Sequence, residues 1–109
     1  CRLYWVAGED ARVIPYFLVC HVGDGTFHVG YLSDPDGPRA LEVAGGLRHK
    51  LVGRALRLEG TCTGEHGVGL HKMDFLVTET GAGAVDMMRT IKRALDPQNI
   101  MNPGKIFAI

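Results

Sequence analysis

The segment His21-Val22-Gly23-Asp24-Gly25-Thr26-Phe27-His28 constrains the fold more than any other part of the chain. It joins two runs rich in β-branched and aromatic residues, 13–22 and 26–32, through Asp24-Gly25. An Asp-Gly pair between apolar runs is a hairpin signal, because a two-residue type I′ turn needs positive φ at both central positions. Such a turn sets the register, with Gly23 facing Thr26, Val22 facing Phe27 and His21 facing His28. Directly opposed residues of an antiparallel pair carry their Cβ atoms about 4.5–5.5 Å apart on one face. The expectation is therefore two imidazoles side by side.

Beyond the hairpin, Asp34-Pro35-Asp36-Gly37-Pro38 reads as a loop. Leu41, Ala44, Leu47, Leu51, Ala55 and Leu58 then recur at steps of three and four, with Arg39, Glu42, Arg48, Lys50 and Arg54 mostly elsewhere, which predicts an amphipathic helix. Gly45-Gly46 weakens it by about 1 kcal/mol per glycine relative to Ala. A second helix is expected over 84–95, where Val85, Met88, Ile91 and Leu95 form an apolar stripe and Asp96-Pro97 supplies the stop. No internal repeat or long linker divides the chain, so residues 1–109 are expected to be one domain of α+β class.

With 109 residues the chain is large enough for a core without disulfides but too small to house a large cofactor by itself. Twelve Lys and Arg balance twelve Asp and Glu. A neutral chain without a basic cluster lacks the field that attracts phosphate backbones, so nucleic acid is not an expected partner. The longest apolar stretch, 13–22, is about half the roughly 20 residues of a membrane helix. Cys1, Cys20 and Cys62 fit no zinc-ribbon spacing and read as reduced thiols of an intracellular protein. The start at Cys1, without an initiator Met or a signal peptide, points to a piece of a longer chain. Met73, Met87, Met88 and Met101 are expected to fill the core, and His49 and His71 to lie at the surface.

The chemistry-bearing residues cluster in two places. Opposed His21 and His28 supply two neutral imidazole donors suited to Zn, Mn or Fe, and a carboxylate commonly completes a three-ligand set with an open position. Glu65, within the glycine-rich Gly60-Thr61-Cys62-Thr63-Gly64-Glu65-His66-Gly67-Val68-Gly69, is the candidate third ligand. In an extended segment His66 faces away from Glu65, which leaves it as candidate general base. The glycines do not follow the dinucleotide-binding order.

Three motifs in order, HVGDGTFH at 21–28, GTCTGEHGVGLHK at 60–72 and LDPQNIMNPGKI at 95–106, resemble the C-terminal region of FAD-linked D-2-hydroxyacid dehydrogenases. That family includes flavin-type D-lactate dehydrogenases, D-2-hydroxyglutarate dehydrogenases and glycolate oxidase subunits. Residues 1–20 match it poorly. The resemblance implies a vanillyl-alcohol-oxidase-type flavoprotein, in which this chain is part of a ferredoxin-like cap domain, an antiparallel hairpin with two helices packed on the sheet. The N-terminal FAD-binding domain is not in the chain, so the fragment alone is expected to be inactive.

The same resemblance implies zinc or manganese held by His21, His28 and Glu65, with His66 as the catalytic base and Asn102 and Lys105 as flavin-contact candidates. The implied partners are a small 2-hydroxy acid, the FAD-binding domain and an electron-acceptor protein or quinone. Location is expected in the cytoplasm or mitochondrial matrix, compatible with a peripheral place at a membrane. Relatives acting on hydroxyglutarate carry Asn where this chain has Gly30, which favours a small substrate such as lactate. The alternative is a non-catalytic metal-binding or regulatory module derived from the same fold.

Overall fold

The computed structural model describes residues 14–32 and 38–109. The loop expected at 34–38 lies outside the described residues except for Pro38, as does Cys1. The element order is β1 (Tyr16–His21), β2 (Thr26–Tyr31), α1 (Pro38–Arg57), α2 (Met73–Thr80) and α3 (Ala82–Leu95). Among the described residues the α+β expectation holds, with one helix more than the sequence announces. The chain divides into two compact units, the first closing at Leu58 and the second running Glu59–Ile109.

In the first unit β1 and β2 form an antiparallel two-stranded sheet. The register differs from the expected one: His21 pairs with Thr26, Val19 with His28 and Phe17 with Gly30. The turn is four residues long, not two. Asp24 N–H donates to His21 O at 3.1 Å and Gly25 N–H to Val22 O at 3.4 Å, making two overlapping turns. Gly25 alone is left-handed there, with φ 71°, and Asp24 is not. A type I′ turn needs both residues left-handed, so the hairpin closes through the longer loop instead. The ladder reaches Leu32, whose N–H donates to Pro15 O at 2.8 Å. Proline at that place fits, since it opens the strand and owes no hydrogen bond.

Helix α1 runs straight through Gly45-Gly46. Leu47, Val52 and Ala55 are buried while Leu41 and Leu58 are exposed, so only the middle of the apolar stripe is covered. The helix ends as Leu58 N–H reaches Arg54 O and Ala55 O, and Glu59 turns left-handed at φ 60°.

In the second unit α2 and α3 pack on one another, burying Phe75, Leu76 and Val85. Gly81 joins them as a single-residue corner at φ 84°: its N–H closes α2 on Val77 O and its carbonyl opens α3 toward Val85 N–H. Helix α3 ends at Leu95, where Asp96-Pro97 predicts the stop. Its stripe is buried at Val85 and half-buried at Met88, but Ile91 and Leu95 are exposed. Met87 and Met101 are also exposed, which corrects the expectation that the methionines fill the core. Helix α2 escapes sequence reading because eight residues with Val77, Thr78 and Thr80 have weak intrinsic propensity, and packing on α3 stabilises it instead. No helix among the described residues is long and apolar enough to cross a membrane.

Two alanine substitutions separate these local constraints. A side chain at Gly46 would meet open space, so Gly46→Ala should stabilise the chain by about 1 kcal/mol. Gly25→Ala puts a Cβ into the left-handed region and should destabilise by about 1–2 kcal/mol. Urea unfolding midpoints of the two variants should move in opposite directions.

Candidate metal and proton-transfer site

The four-residue turn shifts the pairing of β1 with β2 by two residues, an even number, so each side chain keeps its face. His21 and His28 are therefore diagonal neighbours on one face and not directly opposed. Diagonal neighbours on a sheet remain within reach of ring-sized side chains. The imidazole centroids lie 5.6 Å apart with the ring planes at 77°. Two imidazoles sharing one divalent ion at Zn–N distances of about 2.1 Å carry their centroids about 5–6 Å apart. In donor type and spacing this pair fits a first-row metal.

The same face holds Val19, Thr26 and Phe17. The Phe17 ring lies over Gly30, and atoms of that ring come within 2.1 Å of where a Cβ at Gly30 would stand. Position 30 is thereby closed to a side chain unless Phe17 moves. The opposite face of the hairpin carries Tyr16, Leu18, Cys20, Phe27, Val29 and Tyr31.

Glu65 and His66 sit in the second unit, in the irregular segment between Gly60 and α2. The segment bends at 64–66 and is not extended. Consecutive side chains then converge, and His66 Nε2 lies 3.3 Å from Glu65 Oε1, both side chains exposed. The expectation that His66 faces away from Glu65 is corrected on this point.

The ends of the segment are tied down. Cys62 N–H donates to Glu79 Oε2 at 2.8 Å, and Thr63 N–H donates to Thr61 Oγ1 at 3.2 Å. At the far end Lys72 N–H reaches Val68 O at 3.3 Å, and Ile106 N–H reaches Gly69 O at 2.8 Å. Burial, together with the Glu79 carboxylate beside it, pushes the Cys62 thiol up to about 11. Burial pushes the Glu79 carboxyl up, but hydrogen bonds from the Cys62 thiol, Thr61 and Cys62 N–H outweigh it and hold the group below its ordinary value.

The third motif is organised by Asp96, whose side chain is buried at the end of α3. Its carboxylate accepts from Ile100 N–H at 3.0 Å, from Met101 N–H at 2.9 Å and from the Lys92 ammonium. Lys92 also donates to Met101 O. Sequence reading takes Asp96 only as a helix stop and misses this role. Asn102 and Lys105 are exposed on the following turn, with Asn102 left-handed at φ 48°. Ile106 is left-handed too, at φ 71°, and Phe107 N–H donates to Lys105 O at 2.8 Å across it. That is the strained γ-turn sense, rare for a β-branched residue, and the Ile106 N–H bond to Gly69 O holds it in place. His49 and His71 are exposed, as expected.

The hairpin brings His21 and His28 together, and the glycine-rich segment brings Glu65 and His66 together, its end tied to the turn that carries Lys105. An α+β chain with this order of motifs falls in the class of C-terminal regions of FAD-linked D-2-hydroxyacid dehydrogenases. The family described as FAD linked oxidases, C-terminal domain, matches residues 7–106, and the chain belongs to it. The match extends well into the stretch 1–20 that reads as poorly matching.

The chain is 45% identical over 97 residues to the mitochondrial D-lactate dehydrogenase [cytochrome] of Arabidopsis thaliana, covering 89% of this chain and 17% of that protein. It is 50% identical over 90 residues to D-lactate dehydrogenase [cytochrome] 1 of Saccharomyces cerevisiae, covering 83% and 15%. Against a D-2-hydroxyglutarate dehydrogenase of Stutzerimonas stutzeri the identity is 37% over 106 residues, covering 94% and 23%. The chain thus spans less than a quarter of the length of each of these relatives.

Two measurements follow from the local chemistry. Cys20 is exposed and Cys62 is buried with a raised pKa. Alkylation at pH 8 should label Cys20 quickly and Cys62 only on unfolding, as read by peptide mass mapping. Hydrogen bonding from Lys92, and then from the Met101 and Ile100 N–H groups, outweighs desolvation and holds the Asp96 carboxyl below its ordinary value. Its contribution to stability is present above the unfolded carboxyl pKa of about 3.9 and is lost as pH falls through the folded value. Asp96→Asn should therefore lower Tm at neutral pH, and the two melting curves should converge on acidification.

Proposed function

We propose that this chain is the substrate- and metal-binding part of an FAD-dependent dehydrogenase that oxidises a small D-2-hydroxy acid, of which D-lactate is the first candidate, to the 2-oxo acid. The carrying observation is the 45–50% identity to D-lactate dehydrogenases over a stretch containing both histidine clusters. The FAD-binding domain belongs to the rest of the protein, and residues 1–109 act beside it as part of the separate C-terminal domain. A fragment of these residues alone is expected to be inactive.

In this reading His21, His28 and Glu65 would hold a divalent ion; their donor types suit Zn, Mn or Fe, and the family resemblance narrows this to Zn or Mn. When bound, the ion supplies Lewis-acid polarisation of substrate oxygens and FAD supplies the two-electron acceptor. His66 accepts the proton of the 2-hydroxyl at Nε2 as the C2–H bond breaks. Imidazole is the commonest side chain for positioned proton transfer, and His66 Nε2 lies 3.3 Å from Glu65 Oε1. Asn102 and Lys105 are assigned to flavin contact.

Phe17 over Gly30 presents an apolar ring on the histidine face, which suits a small substrate better than a dicarboxylate. The reading includes a cytochrome as electron acceptor and a mitochondrial location, both taken from the names of the plant and yeast relatives.

Metal analysis and D-lactate turnover of the full-length protein test this assignment. His21→Ala and Glu65→Ala should lose metal and turnover together. His66→Ala should keep its metal and lose roughly 10²–10⁴-fold in turnover. Indifference to Glu65→Ala sinks the reading, and metal loss in His66→Ala equal to that in His21→Ala shows the two roles are misassigned.

A further inference from the structure

Glu79 stands at a place where a carboxylate is unfavourable. It is the next-to-last residue of α2, at the negative end of the helix dipole, and no basic residue lies in that last turn. What surrounds its carboxylate is the start of the glycine-rich segment: Cys62 N–H at 2.8 Å, together with hydrogen bonds from the Cys62 thiol and from Thr61. Cys62 is 5% exposed, so its backbone N–H has little access to water and depends on this acceptor. Thr61 in turn accepts from Thr63 N–H at 3.2 Å, which carries the restraint one residue further toward Glu65.

The far end of the segment is held by Val68 O and Gly69 O, as described above. Between these two anchors lie Thr63, Gly64, Glu65, His66 and Gly67, with two glycines and no helix or strand. A segment of that composition has little stiffness of its own, so fixing its ends narrows the geometry open to Glu65 and His66. Helix α2 is itself held rigidly, through Phe75 and Leu76 and the Gly81 corner to α3.

We infer that Glu79 is a positioning residue for Glu65 and His66, its carboxylate clamping the glycine-rich segment at Thr61-Cys62 onto α2 so that both side chains are presented in one fixed arrangement. The inference rests on the proposed roles of Glu65 and His66. Glu79 touches neither the substrate nor the ion in this scheme. Its effect is to lower the ordering cost that metal and substrate binding would otherwise bear.

The test uses the full-length flavoprotein with Glu79→Ala, Glu79→Gln and Thr61→Val. Gln keeps one carbonyl acceptor for Cys62 N–H, whereas Ala keeps none. Metal affinity by chelator competition should fall about 10–100-fold in Glu79→Ala, as for other groups that orient ligands, and turnover should fall with it. Glu79→Gln should restore most of both, and Thr61→Val should lie between. In metal-stripped protein, Cys62 alkylation should be faster in Glu79→Ala than in Glu79→Gln, which reports the clamp independently of activity.

Unchanged metal affinity and turnover in a folded Glu79→Ala protein overturn the inference, as does an equal loss in Ala and Gln variants. If Glu79→Ala does not fold, the Thr61→Val and Glu79→Gln comparison decides by the same criteria. A parallel Glu65→Ala arm keeps the two readings apart. Loss there with indifference at Glu79 rejects the clamp alone, while indifference at Glu65 rejects the site assignment on which it rests.

Discussion

The second unit depends on one kind of interaction, a carboxylate at a helix end that accepts backbone N–H groups from an irregular segment. Asp96 takes Ile100 and Met101 N–H at the end of α3, and Glu79 takes Cys62 N–H at the end of α2. Between them they hold the two segments that have no ladder of their own, the glycine-rich one and the tail. A buried backbone N–H without a partner costs about 1–3 kcal/mol, a penalty the Glu79 carboxylate removes at buried Cys62, while Asp96 ties back the more exposed Ile100 and Met101. The two segments then meet through Ile106 N–H and Gly69 O. Regular structure here is a scaffold whose helix ends hold the irregular segments between them.

The first unit uses a different constraint, the period of two along a strand. The hairpin closes through four residues because Asp24 stays out of the left-handed region and Gly25 alone enters it. The pairing moves by two residues in consequence, and because that shift is even His21 and His28 remain on one face and their rings meet edge to face. An odd shift would have put them on opposite faces. The pairing of functional groups therefore tolerates an error in turn type that it would not tolerate in parity.

Much of this was legible in the residues. The hairpin, the long helix over Gly45-Gly46, the stop at Asp96 and the two histidine-bearing clusters all follow from local pattern, because each rests on contacts between residues close in sequence. Helix α2 was not legible, since its eight residues are helical mainly through Phe75 and Leu76 packing on α3. Nor was the exposure of Ile91, Leu95, Met87 and Met101, because an apolar stripe shows that a face seeks cover without showing whether this part of the chain supplies it. The roles of Asp96 and Glu79 were hidden for the same reason. A helix-stop aspartate and a surface glutamate look ordinary until the segments they hold are seen to come back to them.

The sequence by itself determined which side chains are available for chemistry and which face of the hairpin they share, since strand parity and motif order are properties of the linear chain. Tertiary structure decided the register of that hairpin, the convergence of Glu65 with His66 at a bend, and the anchoring of their segment by Glu79. Those features depend on backbone torsions at single residues and on hydrogen bonds across as many as 17 positions, and neither is encoded in the periodicity of the residues that take part.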